Sequence, residues 1–182
     1  MHAWRIFIAA VLLTLGLGCT PAPLRAETVV GEYRLQAAFV LNFARFAQWP
    51  ATALPADNSP LVIGVLGTGP AGEALMALAG QVVGRHPVQV RQFAYPPAAT
   101  DCQLLYVSDS ETPQLDDLLR VLRSRSLLLV SDIPRFAERG GHIQLFNRQN
   151  KLRFRVNLQA LGRAGLSLSS KLLKLADVVE AP

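Results

Sequence analysis

The 182-residue chain is 51% hydrophobic and carries 18 Lys or Arg against 13 Asp or Glu, for a formal net charge of +5. This length suits one domain with a hydrophobic core, and no stretch is long enough to link two domains. The positive charge is concentrated between Arg120 and Lys174, which indicates an acidic partner, an anionic membrane face, or only a solvated surface. Nucleic acid is not expected as a partner, because basic and aromatic residues do not interleave.

The N-terminus has the pattern of a secretory signal. A short basic start at Arg5 precedes an apolar run from Ile6 to Leu17, and small residues lead to a cleavage site after Ala26. The run is shorter than the roughly twenty residues that a membrane span needs. We therefore predict a signal peptide over residues 1–26, export to the periplasm, and one domain over residues 27–182. Lipidation at Cys19 is the alternative.

After cleavage at Ala26, Cys102 is the single remaining cysteine, so an internal disulfide is excluded. Its position at the start of an apolar strand predicts a buried and unreactive thiol. An intermolecular disulfide remains the alternative.

The first predicted helix covers residues 31–48 and ends at Trp49-Pro50, because proline disfavours helix in the residue before it. Its apolar residues form two stripes. The first stripe consists of Tyr33, Ala37, Val40, Ala44 and Ala47, and the second consists of Leu35, Phe39, Phe43 and Phe46. Two stripes require cover from both sides, either by the fold itself or by a second subunit. We predict a homodimer with the second stripe at its interface.

Apolar strands and helices alternate through the middle of the chain. Strands are predicted over residues 61–66, 88–93, 103–107 and 127–130, and helices over residues 72–79, 113–123 and 134–138. Strands that are apolar on both sides, separated by helices, indicate a mostly parallel sheet covered by helices on both faces. The predicted fold class is thus a three-layer α/β domain.

The C-terminal part predicts an antiparallel hairpin at the edge of this sheet, from residues 142–146 and 152–157 around a turn-rich stretch. Because strand side chains alternate, Lys151, Arg153 and Arg155 share one face. With Arg139 and His142 nearby, they are the candidate partner-binding residues. A last helix is predicted over residues 169–179, with Leu168, Leu172, Leu175 and Val179 towards the core.

No motif predicts catalysis, a cofactor or a metal site. Residues 67–72 match G-x-G-x-x-G between a strand and a helix, but no acid follows at the distance needed to bind a ribose. Glycines for a tight turn and close helix packing explain the motif better. A small-molecule site is the alternative, since polar residues follow the predicted strands. These are Gly67, Thr68, Ser108, Asp109, Ser131 and Asp132.

Several segments together resemble one family, the YfiR family of exported bacterial proteins. The segments are residues 32–39, 42–46, 49–50, 84–88, 101–102, 136–143, 154–157 and 165–176. They include Trp49-Pro50, Gly84-Arg85-His86-Pro87 and Gly140-Gly141-His142, and together they span nearly the whole mature chain in the expected order.

The resemblance implies a dimeric, non-enzymatic repressor that binds the periplasmic sensory domain of an inner-membrane diguanylate cyclase and lowers cyclic-di-GMP output, and hence affects biofilm formation. It also implies an outer-membrane, peptidoglycan-binding lipoprotein that sequesters the repressor. Some relatives carry paired cysteines, but Cys102 has no partner in the mature chain. The alternative function is a periplasmic small-molecule sensor subunit that acts with a different membrane sensor protein.

Overall fold

The strands predicted from apolar runs form the centre of an eight-stranded sheet in the computed structural model, which describes residues 24–54, 56–97 and 101–180. The strands are β1 (Ala47–Gln48), β2 (Leu61–Leu66), β3 (Val82–Val83), β4 (His86–Phe93), β5 (Leu104–Val107), β6 (Leu128–Ser131), β7 (Ile143–Arg148), β8 (Lys151–Asn157), β9 (Ser167–Leu168) and β10 (Asp177–Val179). The helices are α1 (Leu24–Phe46), α2 (Pro70–Leu75), α3 (Leu115–Leu122), α4 (Leu158–Arg163) and α5 (Ser170–Leu173), with 3-10 turns at Met76–Leu78 and Asp109–Gln114.

The large sheet has the strand order β10-β8-β7-β6-β5-β2-β4-β3, while β1 and β9 form a small antiparallel pair. Strands β4, β2, β5, β6 and β7 run parallel, and β7 and β8 form the predicted antiparallel hairpin. The hairpin is not the edge of the sheet, because β10 adds parallel to the outer side of β8.

Helices cover both faces of the sheet, which confirms the predicted three-layer α/β class. One core contains the inner side of α1, the residues of α2 that face the sheet, and alternate strand residues such as Ile63, Leu104 and Val130. The second core contains α3 with the opposite strand residues, such as Leu105 and Leu129. Strand residues are therefore buried on both sides, as the continuous apolar runs in β2, β5 and β6 require.

One predicted helix is wrong, and another is shorter than predicted. Residues 134–138 form turns, because Arg135 adopts the left-handed conformation, with φ of 60°, and this interrupts a helix. The last helix ends at Leu173, and residues 177–179 pair with β8 as β10. Valines at 178 and 179 favour a strand, and the edge of β8 offers them hydrogen bonds. Leu175, predicted for the core, is 67% exposed.

Helix α1 begins at Leu24, earlier than predicted, and ends two residues before Gln48. The predicted signal peptide lies almost wholly outside the described residues, as does Cys19.

Candidate functional site

The hairpin presents a basic face on the side of the sheet opposite α1. In the antiparallel register, Phe146 lies opposite Arg153, and Arg148 lies opposite Lys151. Directly opposed residues project to the same face, so the three predicted cations of β8 share it with two residues of β7. We call this surface the basic hairpin face; it consists of Phe146, Arg148, Lys151, Arg153 and Arg155.

The aromatic ring of Phe146 lies at the centre of this face. The Arg155 guanidinium carbon is 4.4 Å from the ring centroid and that of Arg148 is 5.6 Å away, both within the range of cation–π attraction. Arg155 also pairs with Glu138 at 3.0 Å, and Arg148 with Asp177 at 3.5 Å. Lys151 and Arg153 are exposed and form no ion pair within the described part of the chain. The face therefore combines an aromatic centre with free positive charge.

Arg139 lies elsewhere, on a groove of about 280 Å³ between α3 and the end of α4. Its guanidinium pairs with Asp116 at 2.8 Å. The groove is also lined by Arg120, Arg123 and Arg163, so it forms a second basic surface.

His142 is fully buried and does not belong to any surface. Its Nδ1 accepts a hydrogen bond from the Leu129 backbone N–H at 3.0 Å, which joins it to the neighbouring strand. Burial lowers the pKa of His142 to about 3, and the positive charge of Arg163 contributes to this shift. The imidazole is therefore neutral at physiological pH, and a direct contact with a partner is excluded by its burial in this fold.

The second stripe of α1 is divided between core and surface. Phe43 is completely buried, and Phe39 packs against the core, where both rings contact the ring of Phe154. Leu35 and Phe46 remain 47% and 40% exposed. The fold therefore covers Phe39 and Phe43 itself, and only Leu35 and Phe46 of this stripe remain exposed.

A crevice lies at the point where the chain reverses its direction of winding. After β2 the chain passes through α2 on the α1 side of the sheet, whereas α3, which follows β5, packs on the opposite side. Strands β2 and β5 are neighbours, so their carboxyl ends form the switch point at which ligands bind in such folds. The crevice has a volume of about 320 Å³. Its lining consists of residues 69–72, Tyr33, Tyr106, Ser108, Asp109 and Asp132.

Polar groups from two strand ends meet in this crevice. The Tyr106 hydroxyl donates a hydrogen bond to Asp132 Oδ1 at 2.8 Å. Burial, followed by the charge of Asp132, raises the pKa of Tyr106, so the hydroxyl keeps its proton. Asp109 accepts a hydrogen bond from the Thr112 hydroxyl at 3.1 Å. Ser108 is 2% exposed, and its hydroxyl has no hydrogen-bond partner.

Sequence reasoning identified part of this crevice. It named Ser108, Asp109 and Asp132, which the fold brings together, but also Ser131, which is buried and bonded to the Val107 carbonyl. It did not find Tyr33 or Tyr106. Tyr106 is the one aromatic residue of an otherwise aliphatic strand, and a buried tyrosine hydroxyl needs a hydrogen-bond partner; this signal could have identified it.

The glycine motif has the structural role predicted for it. Gly67 adopts a φ of 80° in the turn after β2, a conformation that favours glycine. Gly72 lies so close to the sheet that a Cβ on it would be 2.8 Å from Val65 Cγ1. The motif therefore places α2 close to the sheet and, as a consequence, forms one wall of the crevice.

Cys102 is buried, as predicted, and burial raises the pKa of its thiol to about 12. Within residues 24–54, 56–97 and 101–180, no three His, Cys, Asp or Glu side chains are grouped closely enough to hold a metal ion. In the same part of the chain, no helix combines the length and the apolar character needed to cross a bilayer.

Comparison with known proteins identifies the family to which this chain belongs. One solved structure of similar fold is a conserved domain protein from Vibrio cholerae O1 biovar El Tor strain N16961, with a TM-score of 0.57 and 13% sequence identity. The likeness covers 80% of this chain and 60% of that one, so the chain spans about three fifths of its length. No curated protein matches the sequence. The profile of the YfiR/HmsC-like family matches residues 33–177, and the chain therefore belongs to this family.

Proposed function

We propose that this chain is a non-catalytic periplasmic regulator that binds the periplasmic sensor domain of an inner-membrane diguanylate cyclase and lowers cyclic-di-GMP signalling. The family match over residues 33–177 supports a regulatory role in the periplasm. The observation that carries the mode of action is the basic hairpin face. There two arginines contact an aromatic ring, and the neighbouring Lys151 and Arg153 are exposed.

The composition of this face fits a protein-binding surface. Aromatic and Arg residues are enriched in the contacts that contribute most to protein–protein affinity. Phe146 is only half-buried and packs against the Arg155 guanidinium, so part of its ring is accessible to a partner. Lys151 and Arg153 are free to pair with acidic groups, which would orient an acidic partner and speed association. To repress, the chain must bind the inactive state of the cyclase more tightly than the active state.

Charge reversal tests this surface directly. The double variant K151E/R153E should weaken binding to the cyclase in nanodiscs at least about tenfold by biolayer interferometry, because two attractions become repulsions. The matched control R85E/R91E makes the same change in net charge at the other edge of the sheet, where both side chains are also exposed. It should bind within about twofold of the wild type. In cells, K151E/R153E should raise cyclic-di-GMP to the level of a deletion strain.

The outcomes separate the function from the surface. If the wild-type chain does not bind the cyclase and its deletion leaves cyclic-di-GMP unchanged, the proposed function is refuted. If binding is strong but equal for K151E/R153E and R85E/R91E, the function stands and the assignment of the face is refuted.

We also propose that two copies pair through α1, with Leu35 and Phe46 at the interface, because both are large, apolar and exposed. The variant L35D/F46D should be monomeric by light scattering. The control V82D/V121D changes two equally exposed valines elsewhere and should keep the dimer. A monomeric wild type at micromolar concentration contradicts this proposal.

The outer-membrane lipoprotein expected from the resemblance is proposed to compete with the cyclase for the regulator.

A further inference from the structure

The crevice at the switch point between β2 and β5 has the position and size of a small-ligand site. Its volume of about 320 Å³ lies at the lower end of the range of ligand pockets, about 300–1,000 Å³. It is lined by one residue of α1, by the start of α2, and by residues at the carboxyl ends of β5 and β6, so its walls are supported by the sheet. A dinucleotide is too large for it, but a molecule of amino-acid size fits.

The charge of the crevice is negative. The carboxylates of Asp109 and Asp132 both line it, and among the described residues no Lys, Arg or His does so. Asp132 uses Oδ1 to accept the Tyr106 hydroxyl, which fixes the carboxylate at the crevice wall. Two carboxylates that line the same crevice attract a cation and repel an anion.

The Ser108 hydroxyl is a second and independent indication. Ser108 lines the crevice, and its buried hydroxyl has no hydrogen-bond partner within the described part of the chain. The hydroxyl oxygen would lie 3.3 Å from a Cβ on Gly72, which also lines the crevice. Buried hydroxyls nearly always have hydrogen-bond partners, and an unmet one costs stability. A ligand that donates a hydrogen bond into the crevice satisfies it.

We propose that this crevice binds a small organic amine, whose protonated nitrogen is held by Asp109, Asp132 and Ser108 while its apolar part lies against the ring of Tyr33. An aromatic ring attracts organic cations and also packs against apolar groups, so the Tyr33 ring can contact either the ammonium group or the apolar part of such a ligand. The inference adds a ligand to the proposed regulator. It needs neither the cyclase nor the basic hairpin face, which lies on the other side of the sheet.

Isothermal titration calorimetry of the mature chain with three matched probes tests it. Phenethylamine, 2-phenylethanol and phenylacetate share a body of similar shape and differ in charge. We expect saturable binding of phenethylamine, with a Kd below about 1 mM, and at least about tenfold weaker binding of the other two probes. The variants D132N and S108A should each lose affinity for the amine. D57N, which removes an exposed carboxylate outside the crevice, should keep it.

Circular dichroism spectra should show that D132N and S108A fold. The inference is overturned if wild-type protein does not bind phenethylamine saturably, or if phenylacetate binds equally well. It is also overturned if folded S108A and D132N bind the amine as tightly as D57N. Repression of the cyclase by a chain that does not bind the amine refutes this inference alone. Amine binding by a chain that does not bind the cyclase, and whose deletion leaves cyclic-di-GMP unchanged, refutes only the proposed function.

Discussion

Replacing His142 by Gln should remove a large part of the acid sensitivity of the folded chain. Burial lowers the pKa of His142 from 6.5 to about 3 in the folded state. Between these values the unfolded chain binds a proton that the folded chain does not, so the free energy of unfolding falls as pH drops from 6.5 towards 3. At pH 5 this linkage amounts to about 2 kcal/mol relative to pH 7, and it reaches about 5 kcal/mol at its limit.

Urea unfolding followed by circular dichroism at pH 7, 6 and 5 measures this effect. Glutamine does not titrate, and its amide oxygen can accept the Leu129 N–H that His142 accepts at 3.0 Å. H142Q is expected to be less stable than the wild type at pH 7, but its loss between pH 7 and 5 should be smaller by about 2 kcal/mol. The control K151Q removes an exposed charge and should keep the wild-type loss. Equal losses in H142Q and the wild type would show that the buried imidazole takes up a proton without unfolding the chain.

Three further predictions concern packing, capping and thiol reactivity. G72A should reduce the free energy of unfolding by about 1–3 kcal/mol in urea titrations, because its Cβ would meet Val65 at 2.8 Å; an unchanged value would mean that α2 shifts at no cost. N157A should cost about 2–4 kcal/mol in the same assay, because the buried Asn157 side chain caps α4 by accepting from the Ala160 N–H and donates to a carbonyl. Cys102 should react with an aromatic disulfide reagent at the rate of global unfolding, because its thiol is buried with its pKa raised to about 12; rapid labelling of native protein would contradict this.

The strands of the sheet could be predicted because burial on both faces leaves continuous apolar runs such as Leu61–Leu66. The alternation of cations in β8 likewise predicted that Lys151, Arg153 and Arg155 share a face, and the pairing of β8 with β7 confirms it. That Phe146 joins this face could not be predicted, because it depends on the register of the hairpin. Their role in binding a partner stays a prediction.

The last helix shows why periodicity alone misleads near a free edge. Leu168, Leu172 and Leu175 have helical spacing, yet Leu175 is exposed, and the chain turns to place its valines beside β8. This segment forms a strand because the edge of β8 offers it backbone hydrogen bonds. The residues of the segment itself do not show that this edge is unpaired.

The sequence by itself determined the alternating strands and helices, the α/β class and the basic face of β8, because these follow from the local period of apolar and charged residues. Only the tertiary structure decided that His142 is buried, that Phe43 of α1 is covered while Phe46 stays exposed, and that Tyr33 and Asp132 line the same crevice. Those outcomes depend on which elements pack against each other. The burial of a side chain, its electrostatic surroundings and its hydrogen-bond partners are set by residues that are distant in the sequence.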